Sequence, residues 1–372
     1  MNRKHFISTL AGAAVTTAVT PKIALAGSTD AKTELVSPSA VPPAPKHKVK
    51  RGVCLYSYQQ TMMFNRITLE ECFEEMASLG AYGLEAIGQV FIKDYPEPTS
   101  SFVNEYWRLI DKYGLTPVSY TNFHDKYLQF NPQSLDDNVE YQTRAFKLGK
   151  MFGFNKFRML VGTPIPLLER MMPIAEKMGI WMGLEIHAPT HLDSELVKKI
   201  VSMAKDAPDV IGLYPDMGIF QRYPRPYKRE QQVKKGTLTR DIALYIEDSF
   251  KKGVAQEEVE KQVKKMKPKD GDTAYIASVY RSAGSYQNPK DLIPLLPYCK
   301  QIHGKFYEMS TTEPFTDLTV NYEEPMKVLM ENGYDGYICS EYEGQRDMDI
   351  PDVDEIAEVR RQHVMLKRIL GV

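Results

Sequence analysis

From Gly52 onward, short apolar runs alternate with stretches whose apolar residues recur every three to four positions, the spacing of a helix with one buried face. The apolar runs at 53–58, 83–87, 117–121, 156–161, 181–187, 210–216, 302–307 and 337–341 predict eight strands. The amphipathic stretches 69–79, 101–113, 135–152, 165–178, 194–204, 290–299 and 322–332 predict the intervening helices, and 353–370 closes the chain. Gly80, Gly114, Gly153, Gly179 and Gly333 stand where left-handed helix caps belong. Eight βα units in one series favour a closed (β/α)8 TIM barrel of the α/β class over an open sheet. One interval is too long for a loop and a helix. It predicts an insertion after strand 6, at 219–284, which starts with Phe220-Gln221-Arg222-Tyr223-Pro224 and continues as charged helix such as 256–267. Without it the folded part has the length of a bare barrel, about 250 residues. A segment leaving the end of strand 6 starts on the face where barrels bind substrate, so it reads as a lid or a partner surface, against a purely decorative excursion.

The first residues follow a different pattern. Arg3 and Lys4, the mostly apolar run 6–19 and Ala24-Leu25-Ala26 form the charged, hydrophobic and small-residue order of an export signal over 1–26. The run is short of the ~20 residues of a membrane span, and Pro21 follows it, so stable membrane insertion is not expected. Residues 27–50, rich in Pro, Ser, Ala and Lys, read as a linker, leaving 51–372 for the barrel and predicting a periplasmic or otherwise exported protein. Arg3-Lys4 weakly resembles a twin-arginine signal, and a general secretory signal fits equally. With 47 basic and 48 acidic residues the net charge is −1, so nothing global points to nucleic acid as a partner. Cys54, Cys72, Cys299 and Cys339 are widely separated and include no C-x-x-C pair, which argues against a zinc ribbon or disulfide dependence.

The candidate chemistry lies at the strand ends. Glu185, Asp216, His303 and Glu341 stand at the C-terminal ends of strands 5, 6, 7 and 8, hence at one barrel mouth. Three carboxylates and an imidazole gathered there would repel and desolvate one another without a divalent cation. Mainly oxygen donors and one nitrogen suit Mn2+ first, with Mg2+, Co2+ or Zn2+ as alternatives. His187 and Lys305 each follow a proposed ligand by two residues and so share its inward face, His187 as an acid/base or a packing histidine, Lys305 as a carbonyl-polarising or a bridging ammonium. Asn122 and His124 after strand 3, and tyrosines such as Tyr307, are further substrate-binding candidates.

On Gly183-Leu184-Glu185, Asp216, His303-x-Lys305 and Glu341, residues 52–370 resemble the xylose isomerase-like barrel superfamily, in particular its sugar (phosphate) isomerase/epimerase branch. The resemblance implies that Glu185, Asp216, His303 and Glu341 bind metal and that Glu185 and Glu341 also exchange protons with substrate carbons. It implies a substrate-side role for Glu85 in Gly83-Leu84-Glu85. The chain departs from many epimerases in lacking a His three residues after Asp216; Gln221 or Arg222 would have to replace that contact. With its long insertion it also resembles the metal-dependent subunits of C-glycoside deglycosidases, which act on 3-oxo-glycosides. Two outcomes of one proton abstraction beside a carbonyl therefore stand open: isomerisation or epimerisation of a sugar, and β-elimination from a 3-oxo-glycoside. A non-catalytic sugar-binding or accessory subunit is the third reading. An endonuclease IV-type DNA repair enzyme is disfavoured, because no histidine lies between His191 and His303. The expected partners are a carbohydrate or oxidised glycoside, with a homo-oligomer or a partner oxidoreductase as the assemblies that fit.

Overall fold

The computed structural model describes residues 48–123, 134–283, 286–344 and 353–372; the proposed export signal lies outside the described residues. Eight parallel strands run in the order β6-β5-β4-β3-β2-β1-β8-β7. They are β1 (Lys50–Cys54), β2 (Gly83–Ile87), β3 (Thr116–Thr121), β4 (Lys156–Met159), β5 (Trp181–Ile186), β6 (Ile211–Pro215), β7 (Gln301–Phe306) and β8 (Tyr337–Tyr342). Bridges Leu213↔Cys299 and Asp216↔His303 join the two outer strands and bring the sheet round to a TIM barrel.

The surrounding helices are α1 (Leu69–Ser78), α2 (Ser100–Tyr113), α3 (Leu135–Met151), α4 (Ile165–Met178) and α5 (Glu195–Asp206). After β6 come α6 (Pro226–Lys234), α7 (Arg240–Lys251), α8 (Gln256–Lys265) and α9 (Asp270–Ala283), and the series ends with α10 (Glu323–Glu331) and α11 (Glu355–Leu370). Their ends follow local chemistry. Thr68 and Glu71 form a reciprocal capping box at the start of α1, as Ser134 and Asp137 do for α3. The five glycines expected after helices all adopt positive φ. Two expectations need correction. The stretch 290–299 is a 3-10 helix (Pro289–Tyr298), because Pro294 and Pro297 cannot donate α-helical hydrogen bonds. The chain also leaves the sheet after Cys54 into a 3-10 turn, Leu55–Tyr58, where Ser57 Oγ donates to Ser340 O and accepts from Tyr342 N.

Inside the barrel, small residues at the base and acids at the top account for the repeated Gly-Leu-Glu. A Cβ on Gly183 would lie 2.5 Å from the Trp181 ring, and one on Gly83 2.3 Å from the Tyr337 ring. These rings fill the base, so the next inward positions, Glu185 and Glu85, begin the polar layer above. The four helices after β6 have their own apolar core, built on Ile242, Ile246, Val259, Val263, Ile276 and Val279. All four cysteines are buried free thiols. Among the described residues no helix is long and apolar enough to cross a membrane.

Candidate metal centre

Strand register assembles the site. Asp216 pairs with His303 across the β6–β7 join, Lys305 with Glu341 across β7–β8, and Glu185 lies beside Tyr214 of β6. The ligand atoms of Glu185, Asp216, His303 and Glu341 all lie within 4.8 Å of one another, and all four residues are buried. The distances centre on one imidazole nitrogen. His303 Nδ1 is 3.4 Å from Glu185 Oε1, 3.3 Å from Asp216 Oδ2 and 3.1 Å from Glu341 Oε2. Ligands at about 2.2 Å from a shared ion are about 3.1 Å apart at right angles and about 3.6 Å apart in a tetrahedron, which brackets these separations. Asp216 Oδ2 and Glu341 Oε2 are buried and accept no hydrogen bond, Lys305 Nζ being their ion-pair neighbour at 3.2 and 3.0 Å, so they keep lone pairs for a cation and the donor set fits a divalent one.

The opposite edge of the imidazole meets Glu85. Nε2 lies 3.4 Å from Glu85 Oε1, and Cys54 Sγ stands in the same group of ligand-type atoms. Glu85 Oε2 accepts from Tyr214 O–H at 2.9 Å. Glu85 is fully buried and held between Tyr214, His303 and Arg158, at the edge of the imidazole opposite the other three acids. That matches the usual arrangement in which a carboxylate orients the far nitrogen of a metal-binding histidine.

Two buried cations balance the acids. Arg158, on β4, donates from Nη1 to Glu185 Oε1 at 2.7 Å and sits 3.4 Å from Glu85 and 3.8 Å from Glu341. Lys305 Nζ lies 3.2 Å from Asp216, 3.0 Å from Glu341 and 3.3 Å from Glu343, in the bridging position. Burial alone would raise the Glu185 carboxyl, but Arg158 and the His303 contact outweigh it and hold it well below the usual range. Burial wins at Glu341, which is pushed up despite His303 and Lys305. Asp216 is burdened by burial yet brought down to about 2, chiefly by Lys305 and His303. At His303 burial disfavours the imidazolium, but Glu341 and Glu85 overcome it and raise its pKa well above the ordinary value. A bound cation would take the place of that proton.

The remaining candidates divide. His187 is half-buried at the end of β5, its Nδ1 donating to Ala188 O at 2.6 Å, which leaves Nε2 as the acceptor nitrogen. Asn122 is buried, and neither side-chain polar atom has a hydrogen-bond partner. Tyr307 is buried at the mouth, beneath the Arg225 guanidinium at 3.4 Å from the ring centroid. His124 lies outside the described residues. Arg222 is a correction: its guanidinium bonds Glu324 and Tyr286 O–H, tying the segment after β6 to the start of α10 and Tyr286 instead of facing the metal centre. The same segment does cover the C-terminal end of β7, because Tyr227 N donates to Glu308 at 2.9 Å while Arg225 lies over Tyr307. Sequence reasoning missed Arg158, Arg225 and Glu343. For Arg158 the available signal was its even spacing from Lys156 along a strand already assigned.

No family model matches the chain. Among curated proteins it is 26% identical over 341 residues to a 3'-dehydrocarminate deglycosidase alpha subunit of a Microbacterium species, covering 86% of this chain and 95% of that one. It is 24% identical over 331 residues to a C-glycoside deglycosidase alpha subunit of Arthrobacter globiformis, covering 87% and 92%. Among solved structures, a sugar phosphate isomerase/epimerase from Parabacteroides distasonis superposes with a TM-score of 0.52 at 14% identity, over 89% of this chain and 98% of that one. By fold the chain is a TIM barrel, and the curated proteins it is similar to are named as alpha subunits of deglycosidases.

Proposed function

We propose that the protein is a divalent-metal-dependent lyase that cleaves 3-oxo-glycosides by β-elimination. The observation that carries the reading is the convergence of Glu185, Asp216 and Glu341 oxygens on His303 Nδ1 at 3.1–3.4 Å. The likeness to deglycosidase alpha subunits, one of them named for a 3'-dehydro glycoside, supports elimination over the isomerisation that the same machinery would perform. A cation held by Glu185, Asp216, His303 and Glu341, with Mn2+ the first choice, would supply Lewis acidity to polarise the substrate carbonyl.

The chain's own groups do the rest. His187 Nε2, free because Nδ1 is committed to Ala188 O, takes the proton from C2 beside the 3-oxo group. Loss of that proton and of the C1–aglycone bond forms a C1=C2 double bond, and the departing aglycone takes up one proton in return. Glu341 Oε1, turned away from His303 Nδ1, is the second proton-transfer group. Lys305 fixes Asp216 and Glu341 against each other, and Arg158 keeps Glu185 ionised. Tyr307 and the segment carrying Arg225 close the mouth over the sugar. The reading includes a partner subunit, since both relatives are named alpha subunits, and export directed by residues 1–26, which N-terminal sequencing of the mature protein tests.

The deciding experiment is incubation with a 3-oxo-glycoside carrying deuterium at C2, with the chain alone and with its partner subunit. Elimination gives free aglycone, an unsaturated 3-oxo sugar and a primary isotope effect. An epimerised or isomerised glycoside with the aglycone still attached would favour the isomerase reading. Free aglycone with a hydrated, undehydrated sugar and no isotope effect would mean hydrolysis and remove both.

A further inference from the structure

The opposite end of the barrel holds an unassigned cavity of about 610 Å3. It is lined by Lys50 at the start of β1, Lys156 at the start of β4, Lys300 just before β7 and Tyr337 at the start of β8, with Ile293 and Leu296 from the 3-10 helix. These are strand N-termini, so the cavity lies across the barrel from the metal centre. Its charge is one-sided: three ammonium groups and one lining carboxylate, Asp335. Lys300 is committed to the exposed Asp209 at 2.8 Å. Lys50 stands over the Tyr337 ring at 5.1 Å from its centroid, and Lys156 donates to Lys300 O at a long 3.3 Å. Among the described residues, neither Lys50 nor Lys156 has a carboxylate within salt-bridge distance.

Lys156 is the informative member. Its side chain crosses the base of the barrel from β4 to the carbonyl before β7, and one long hydrogen bond uses one of three ammonium donors. Burial holds it below the ordinary lysine range, with Lys50 and Lys300 pushing the same way and Cys339 and Asp335 pulling the other. A half-buried ammonium with unused donors, Lys156, and the exposed Lys50 beside the same open space are what an anion would neutralise. The other walls differ in kind. Leu296 is buried, Ile293 is 40% exposed, and the Tyr337 ring completes an apolar side.

We propose that this basal cavity binds a small organic anion, its carboxylate or phosphate head on Lys156 and Lys50 and its apolar body against Ile293, Leu296 and Tyr337. The probes are benzoate, which has head and body, and inorganic phosphate, which has only a head. Both are titrated by calorimetry into the full chain, its Lys156→Gln and Lys50→Gln variants, and Asp216→Asn as a control at the other face. Benzoate should bind saturably, more tightly than phosphate, and unchanged in Asp216→Asn. Loss of one charge-assisted contact should weaken it by about tenfold in Lys156→Gln, and Lys50→Gln should weaken it in the same direction. Circular dichroism identifies any variant that fails to fold; for Lys156→Gln, Lys156→Arg then replaces it, expected to keep binding within a fewfold. The proposal is overturned if benzoate shows no saturation below about 10 mM, if Lys156→Gln binds it unchanged, or if Asp216→Asn abolishes binding. Phosphate binding as tightly as benzoate would overturn the apolar half of the site.

Discussion

Replacing Glu85 by Gln tests whether the acid behind His303 sets the metal site. The side chains have nearly the same shape, and Glu85 is fully buried, so the change removes a charge without opening a cavity. Glu85 Oε1 stands 3.4 Å from His303 Nε2, while Nδ1 faces the three carboxylate oxygens. A carboxylate there favours the tautomer with hydrogen on Nε2 and the lone pair on Nδ1, the form that binds metal. An amide can present either oxygen or nitrogen to Nε2 and loses that selection. A hydrogen bond to a charged group contributes about 1.5–3 kcal/mol, equivalent to roughly 10- to 150-fold in a binding constant. At 3.4 Å the two atoms are in ion-pair contact without a formed hydrogen bond, so the lower end applies, about tenfold, in line with the loss found when a carboxylate behind a metal-binding histidine is removed. The assay is competition for Mn2+ against a chelator of known affinity, with circular dichroism to confirm folding. Affinity within twofold of the parent would refute the orienting role of Glu85.

Three further outcomes follow from the same geometry. Arg222→Ala should cost less than about 1 kcal/mol in urea unfolding and leave kcat/KM unchanged, because its ion pair with Glu324 is exposed and away from the metal centre; a drop of tenfold or more in kcat/KM would restore it to the site. Gly218→Ala should weaken metal binding in a folded protein, since the new Cβ would lie 2.8 Å from Asp216 Oδ1, which now accepts from Gly218 N at 2.6 Å; metal affinity equal to the parent's would show that the loop absorbs the methyl. His363, buried between Arg51 and Ser340 Oγ, has its pKa brought down to about 3 by burial and then by Arg51. Below pH 6.5 the unfolded chain therefore takes up a proton that the folded chain refuses, and stability falls by up to about 1.4 kcal/mol per pH unit toward pH 3. His363→Gln should flatten that slope by one proton; an unchanged slope would mean that His363 is not the group responsible.

The acids at the strand ends were legible because barrel topology turns a sequence position, the last inward residue of a strand, into a place in space. Gly183-Leu184-Glu185 encodes both the ring-filled base and the acid above it. What pattern could not settle was which edge of the imidazole each acid meets. Glu85 belongs to the same kind of triplet, on a strand with a register shift at Leu84/Glu85, yet it meets His303 at Nε2 while Glu185 meets it at Nδ1. Arg158 went unread because an arginine in a short strand looks equally like a solvated edge residue until the carboxylates around it are known. The path of the long segment after β6 is a tertiary matter: Arg222 and Arg225 are three residues apart, yet one pairs with Glu324 and the other lies over Tyr307. The 3-10 helix is different, since Pro294 and Pro297 announced it.

The central claim is a single divalent cation held by residues from four consecutive strands. Diffraction from crystals grown with Mn2+, collected at the manganese absorption edge, tests it directly. One anomalous peak per chain is expected within about 2.0–2.3 Å of His303 Nδ1, Asp216 Oδ2 and carboxylate oxygens of Glu185 and Glu341. A crystal saturated with Mn2+ that shows no peak there, or its strongest peak elsewhere with Arg158 and Lys305 still pairing these carboxylates, would contradict it.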